Sequence, residues 1–388
     1  MNVLFLSAWY PNRYDAMAGL FVRKHAAAVA RQANVCVLYA MPDAKVQHTE
    51  RICQNTTNIH ETYYYYPKSK FNIINLLRHF RYLWKGIKYI RSTVGKPDIT
   101  QCNVLTKDVL LARWLQLFYH IPYVVIEHWS GYLPTNGDYD RSSTLKHLLI
   151  RRLARNATCI LTVSDHLKTA MQSHNIYANY QKINNVVDDF FYRQQPQKMR
   201  DKKRILHVSC FDEKAKNICG ILRAIQKLST QRTDFEVIII GTGADFKHVT
   251  AYAQSLGLAK TLVRFMGEQT PQQVCNWMQQ SDFLLLFSNY ENAPVVISEA
   301  LAVGLPVLSS RVGGIAEMLS EQSGRLTPPG DEDVLLTQTA FMLDHCHDFD
   351  AYKIRQDGLQ YSSETVGTKL LAIYRAAISS TLLQQYDD

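Results

Sequence analysis

The chain has 388 residues, 47% hydrophobic and 20% charged, with a net charge of +9. That length predicts two or three domains with full cores. The 22 Tyr, 15 Phe and 5 Trp exclude a disordered chain, and no apolar run is long enough to read as a membrane-spanning helix. The charge is uneven: residues 1–200 carry 26 Lys+Arg against 12 Asp+Glu, whereas residues 201–388 carry 17 against 22. A basic half joined to a mildly acidic half points to two domains with different partners, the basic one facing something anionic. Nucleic acid, an anionic membrane and a phosphorylated substrate all meet that description.

In chain order, MNVLFLSAWY opens as a strand over Val3–Ser7 rather than as a signal peptide, because no basic segment precedes its apolar run. Strand-like runs follow at Val35–Tyr39, Thr62–Tyr66, Ile99–Asn103, Tyr123–Glu127 and Cys159–Val163, then at Ile205–Val208, Val237–Ile240, Phe283–Phe287 and Pro306–Ser309. Helical periodicity lies between them, at Leu20–Arg31, Asn75–Arg91, Lys107–Tyr119 and Val334–Leu343. Strands apolar on both faces and alternating with helices predict parallel sheets covered on both sides. The polar, basic, proline-interrupted stretch RQQPQKMRDKKR at 193–204 reads as a linker, after which ILHVS opens a new first strand. Two doubly wound α/β domains are therefore predicted, at 1–195 and 200–365, with a helical tail over 366–388. Ligands of such domains sit beyond the carboxyl ends of the strands, so two of them face to face would enclose a cleft.

The eight cysteines show no CxxC and read as free thiols in a reducing compartment. His345-Cys346-His347 lacks a second pair of nearby ligands and reads as a helix end rather than a metal site. Gly241-Thr242-Gly243 has Phe246 where a dinucleotide fingerprint needs its third glycine.

The densest chemical signal is SNYENAPVVISEALAVGLPVLSSRVGGIAEM, residues 288–318, which follows a strand and opens a helix near Pro294 or Val295. The backbone N–H groups of Ala293, Val295 and Val296 would form an anion site there, reinforced by the helix dipole. A carboxylate beside a bound phosphate repels it, so Glu291 and Glu299 suit sugar and ribose hydroxyls flanking a diphosphate. The alternative is a generic crossover with two surface glutamates.

This segment, an E-x7-E motif continuing into EALAVGLPVLSSRVGGIAEM, resembles the signature of family-four glycosyltransferases, which are retaining, use nucleotide sugars and have the GT-B fold. YPNRYDAMAGLFVRKHAAAVA resembles that family's first loop and helix, with Gly19 as a close-approach glycine. VVIEHWSGY resembles the strand ending in its active-site histidine, here His128, and RILHVSCFDEKAKNICGILRAI places Lys216 on its phosphate-contacting lysine. The resemblance puts Gly241 and Gly267 near the nucleotide. It implies two Rossmann-like domains facing across a cleft, an N-terminal acceptor domain, a C-terminal donor domain and a tail helix returning to the N-terminal domain. It implies transfer of a hexose or N-acetylhexosamine from a UDP- or GDP-sugar, without cofactor or metal, to a glycan acceptor in bacterial polysaccharide or glycoconjugate synthesis. His128, Lys216 and Glu291 would carry the reaction. Two departures stand out. Ser209-Cys210 replaces the family's glycine–arginine pair, leaving Lys214 as a possible helper to Lys216, and Asn292-Ala293-Pro294 replaces a glycine-containing segment. The alternatives are a nucleotide-sugar epimerase of the same fold and a noncatalytic, membrane-associated nucleotide-binding subunit.

Three Asp-x-Asp triplets, at 138–140, 331–333 and 348–350, invite a metal reading. The latter two read as helix starts, and the first as a loop near the acceptor. The basic half centres on FNIINLLRHFRYLWKGIKYIRS, where Arg78, Arg81, Lys85 and Lys88 recur at helical spacing among Leu, Phe and Trp. Such a helix suits an anionic membrane surface, the alternative being an ordinary helix with a solvated basic face. No nucleic-acid module accompanies the charge, so nucleic acid is not expected. With the resemblance, a lipid-linked acceptor and a cytoplasmic protein peripheral on the inner face of the plasma membrane are expected.

Overall fold

The computed structural model describes residues 1–193, 201–259 and 262–386. Most of the linker expected at 193–204 lies outside them.

The first sheet contains β1 (Asn2–Ser7), β2 (Asn34–Asp43), β3 (Glu50–Thr56), β4 (Ile59–Pro67), β5 (Ile99–Asn103), β6 (Tyr123–Glu127), β7 (Cys159–Thr162) and β8 (Tyr180–Lys182). Their spatial order is β3-β4-β2-β1-β5-β6-β7-β8. All neighbours run parallel except the edge hairpin β3–β4. The central strands are the continuous apolar runs of a sheet covered on both faces. One face packs α2 (Asn72–Thr93), α3 (Val109–Tyr119), α4 (Thr144–Asn156) and α5 (Asp165–Ser173) through Leu83, Ile87, Leu115, Leu153 and Met171. The other packs α1 (Leu20–Ala30) through Val22, Ala26 and Val29.

The second sheet is wholly parallel, in the order β11-β10-β9-β12-β13-β14. Its strands are β9 (Lys203–Val208), β10 (Phe235–Ile240), β11 (Val263–Phe265), β12 (Phe283–Leu286), β13 (Val307–Ser310) and β14 (Gly324–Thr327). Around it lie α6 (Glu213–Lys216), α7 (Ile218–Ser229), α8 (Phe246–Ser255), α9 (Pro271–Gln279), α10 (Val295–Val303), α11 (Glu332–His345) and α12 (Ala351–Gly358). Two doubly wound α/β units therefore build the chain, each with its strand–helix loops at the carboxyl edge of its sheet.

The last helix, α13 (Ser363–Tyr386), lies on α1, and its Leu370, Leu371 and Tyr374 join the core of the first sheet. Gly367 allows this approach, since a Cβ there would press on the Ala28 carbonyl. Tyr374 Oη donates to Gln101 Oε1 of β5 inside that core. Burying each such apolar side chain contributes about 1.5–3 kcal/mol, so α13 fastens the end of the chain to the first unit.

Among the described residues, no helix is long and apolar enough to cross a membrane. Asp331 caps α11 and Asp350 caps α12, each accepting from backbone N–H groups of the following turn. Asp138 pairs with Arg141 of its own loop and Asp140 with His174 at the end of α5, so both carboxylates of the first triplet already face partners.

Candidate active site

The loop leaving β12 carries the site. Asn289 pins it to α6: its N–H donates to the Ala215 carbonyl at 2.8 Å and its Nδ2 to the Lys214 carbonyl at 2.9 Å. On the other side Gly314 N–H donates to the Asn292 carbonyl at 2.8 Å. Gly313 has φ +53, and a Cβ there would collide with the Glu291 carbonyl, so only glycine lets the two loops close. Glu291 is thereby held between them.

Lys216 ends α6. Asp212 caps that short helix, and Asn217 turns the chain through a left-handed conformation into α7. The Glu213 carboxylate accepts from Ile218 and Cys219 N–H at 2.9 Å each, which fixes the turn. Lys216 Nζ then pairs with Glu291 Oε1, which also accepts from Ser288 Oγ at 2.9 Å. Burial works to depress the Lys216 ammonium, but the charge and hydrogen bond of Glu291 outweigh it and its pKa is raised.

Directly after this pair α10 begins. Pro294 occupies the cap position (φ −65, ψ 122), one residue before the helix, and supplies no side-chain cap. The first N–H groups of α10, including those of Val295 and Val296, have no acceptor within the helix. The opening of α10 is a ready anion site beside an ammonium group.

Glu299 lies one turn further, facing the first unit rather than solvent. Its Oε1 is 3.2 Å from Nζ of buried Lys24 in α1, and the same Nζ is 2.9 Å from Asp188 Oδ2. Burial raises the Glu299 pKa, with Lys24 opposing. Burial opposes the Lys24 charge, but the two carboxylates outweigh it and raise its pKa, so it is a cation at neutral pH.

His128 begins the loop after β6. Its carbonyl accepts from Asn292 Nδ2 at 2.7 Å, joining it to the β12 loop of the second unit. Its ring lies 4.1 Å from that of Phe21 and 5.8 Å from that of His25. Burial and the nearby His25 push its pKa well below the usual histidine range, so the imidazole is neutral. Its Nε2 is buried without a hydrogen-bond partner. The loop is oriented by Glu127, whose carboxylate accepts from Leu105, His128 and Trp129 N–H at 3.0 Å each. Glu127 is fully buried, and burial pushes its pKa up to about 7.

Gly19 caps α1 at φ +60, where a Cβ would strike the Trp9 carbonyl. Gly241 N–H donates to the Gly267 carbonyl at 2.8 Å, tying the loops after β10 and β11, and open space surrounds the Gly267 α-carbon. Cys210 is exposed in the loop after β9, beside Ser209, whose Oγ is 2.7 Å from His207 Nε2. On α2, Arg81, Lys85 and Lys88 are exposed, whereas Arg78 folds back and donates to the Pro67 carbonyl at 2.6 Å.

The structure thus brings Lys216, Glu291 and the α10 N-terminus together, and sets His128 and Glu299 on the contacts between the two units. Sequence reading missed Lys24, Glu127 and Asn185, and singled out Asn292 only as a departure from the family pattern, not as a contact to His128. A lone lysine in the Ala/Val-rich stretch of α1 and a carboxylate closing the apolar run of β6 were the available signals. Asn185, which donates to the Ala293 carbonyl at 3.1 Å, had none.

Residues 18–189 match the model for Glycosyltransferase Family 4, and residues 188–350 match that for Glycosyl transferases group 1. N-acetyl-alpha-D-glucosaminyl L-malate synthase of Bacillus anthracis is 28% identical over 172 residues, which is 42% of this chain and 44% of that protein. The amylovoran biosynthesis glycosyltransferase AmsK of Erwinia amylovora is 34% identical over 139 residues, 34% of each chain. The matches therefore span less than half the length of these relatives. Sucrose-phosphate synthase of Thermosynechococcus elongatus superposes with a TM-score of 0.78 at 16% identity, over 98% of this chain and 100% of that one. The two consecutive family matches and a fold shared along nearly the whole chain show that it belongs to the nucleotide-sugar glycosyltransferases of the GT-B fold.

Proposed function

We propose that the protein transfers a hexose or N-acetylhexosamine from a UDP- or GDP-sugar to a glycan acceptor, with retention of anomeric configuration. The observation that carries this reading is the Lys216–Glu291 pair set against the uncapped opening of α10. A nucleoside diphosphate leaves more readily where its developing charge meets preorganised donors. Lys216 and the N–H groups of Ala293, Val295 and Val296 supply them, so the charge is neutralised by the chain itself and the transfer needs no divalent cation. In apo protein Glu291 shares its Oε1 with Lys216 and Ser288. With donor bound, Lys216 turns to the diphosphate and Glu291 accepts from a sugar hydroxyl. Glu299 accepts from the ribose, and neutral His128 offers Nε2 to the sugar. Gly241 and Gly267 line the nucleotide side, and Gly19 lets the first loop approach the donor closely.

The donor sits on the second unit and the acceptor on the first, with domain limits of 1–195 and 200–365 and α13 returning to the first. The acceptor is a lipid-linked glycan in polysaccharide or glycoconjugate synthesis, and the protein works peripherally at the cytoplasmic face of the membrane. A screen of UDP- and GDP-sugars with and without glycan acceptors tests this. Acceptor-dependent release of nucleoside diphosphate, undiminished by a chelator, is the expected result. Conversion of donor without acceptor would identify an epimerase, and binding without turnover a noncatalytic subunit.

A further inference from the structure

Helices α2, α3 and α4 pack their buried stripes on the same face of the first sheet, so their remaining sides form one outer surface. That surface is unusually apolar for solvent. Phe71, Ile73 and Leu77 at the start of α2, Leu145 and Leu148 at the start of α4, and Phe118 on α3 are each more than half exposed. Single exposed apolar side chains, such as Phe118 near the far end of α3, call for no explanation, but clusters at the starts of two helices on one face do.

The outward stripes of α2 and α4 share one order. On α2 the stripe reads Ile73, Leu77, Arg81, Lys85 and Lys88, and on α4 it reads Leu145, Leu148, Arg152 and Arg155. Each stripe is apolar for its first turns and basic thereafter. The two helices point the same way, because each follows a strand of the parallel part of the sheet and runs back across it. Both apolar tips therefore lie at the carboxyl edge of the sheet, the edge that carries His128. Between them, Trp84 of α2 and Trp114 of α3 meet edge-on at 4.6 Å and an apolar groove of about 300 Å³ runs over Phe80, Leu110 and Leu111, while Arg113 and Gln116 of α3 bond to each other near the end of α4.

We infer that the outer face of α2, α3 and α4 docks on an anionic lipid bilayer, inserting the tips around Leu77 and Leu148 while Arg81, Lys85, Lys88, Arg152 and Arg155 meet the headgroups. Paired apolar and basic bands are what an interfacial surface needs: the first supplies buried area, the second attraction to acidic lipid. Nucleic acid would use the basic band and leave the apolar tips exposed to water. The placement of the tips brings the membrane to the mouth of the cleft on the acceptor side. This deepens the lipid-linked acceptor proposed above and, for that consequence, rests on that reading. The docking itself does not involve the donor site.

The test is co-sedimentation of the full chain, without nucleotide sugar, with vesicles of phosphatidylcholine alone and of phosphatidylcholine with phosphatidylglycerol. Binding to the mixed vesicles and little to phosphatidylcholine is expected. Leu77→Glu together with Leu148→Glu should weaken it about tenfold or more, and Arg81→Glu with Lys85→Glu should weaken it and reduce its salt dependence. Because these side chains are exposed, the variants should keep wild-type melting temperatures and nucleotide affinity, both measured without vesicles. No binding to mixed vesicles at low salt would overturn the proposal, and so would wild-type binding by the doubly acidic leucine variant. Vesicle binding without nucleotide affinity would instead refute the donor-site reading and leave the docking surface standing.

Discussion

Lys24 of α1 and Glu299 of α10, 275 residues apart in the chain, form an ion pair at 3.2 Å between the two units. Only Oε1 of Glu299 meets Lys24, and the proposed ribose hydroxyl would take its second oxygen. Asp188 holds the same ammonium from the first unit. Lys24→Met should strand two carboxylates and cost about 3–5 kcal/mol of stability. Glu299, already raised by burial, should then titrate at still higher pH. Nucleoside diphosphate affinity, measured calorimetrically across pH, should therefore begin to fall at a higher pH in Lys24→Met than in the native chain. An unchanged midpoint would remove Glu299 from the nucleotide site.

Glu127 gives a second pH signature. Its folded pKa of about 7 stands above the ordinary carboxylate value of 4.5, because burial disfavours the charge. A raised carboxyl contributes stability in its neutral form, present in full below pH 4.5 and lost as pH rises through about 7. The loss should total about 3 kcal/mol. Glu127→Gln should flatten this part of the stability–pH curve, as read by chemical denaturation at pH 4.5, 6 and 8. Equal slopes for the two proteins would contradict the assignment.

The Gly313 position should be intolerant of any side chain. Gly313→Ala forces a left-handed φ on alanine and drives its methyl into the Glu291 carbonyl. A loss of about 1–3 kcal/mol in stability is expected, with a larger proportional fall in kcat because Glu291 itself is displaced. Gly330→Ala, also at positive φ but with open space around it, should lose stability alone. Similar kcat in both variants would show that the 291–313 contact does not position the site.

Much of this architecture is legible in the chain, and the exceptions have physical causes. The apolar runs of β1, β5, β6 and β10 announce themselves because both faces of each strand are covered. Strand β3 (ERICQNT) does not, since it is an exposed edge strand with no apolar alternation to see. Strands β8 and β11 span three residues each, too short for any periodicity. In the site, Glu291, Glu299 and the opening of α10 stand in one motif and could be read together. Lys24, Asn185 and Asn292 act across the seam between the units, and contacts of that separation leave no local pattern. Glu127 hid as the last residue of an apolar strand, where a charge reads as the strand's end rather than a buried anchor.

The seam should open when Glu317 is removed. Its carboxylate accepts from Asp165 and His166 N–H at 2.9 and 2.8 Å, at the start of α5, and pairs with Lys182 at 2.5 Å. Burial opposes its charge, but Lys182 and the two N–H groups prevail and hold its pKa below the usual carboxylate range. This contribution is present above pH 4.5 and disappears as pH falls through the lowered pKa. Glu317→Ala should enlarge the radius of gyration in solution scattering at neutral pH, and the native chain should expand in the same way on acidification below pH 4.5. A compact Glu317→Ala protein would show that other seam contacts suffice.

The central claim is that Lys216 and Glu291 serve sugar transfer from a nucleotide donor. It is tested most directly by the rate of acceptor-dependent nucleoside diphosphate release, with the donor that the native chain uses, in Lys216→Ala and Glu291→Ala. Each variant should lose about 100-fold or more in kcat, with folding verified by an unchanged cooperative melt. Turnover within a fewfold of the native rate in either correctly folded variant would contradict the account.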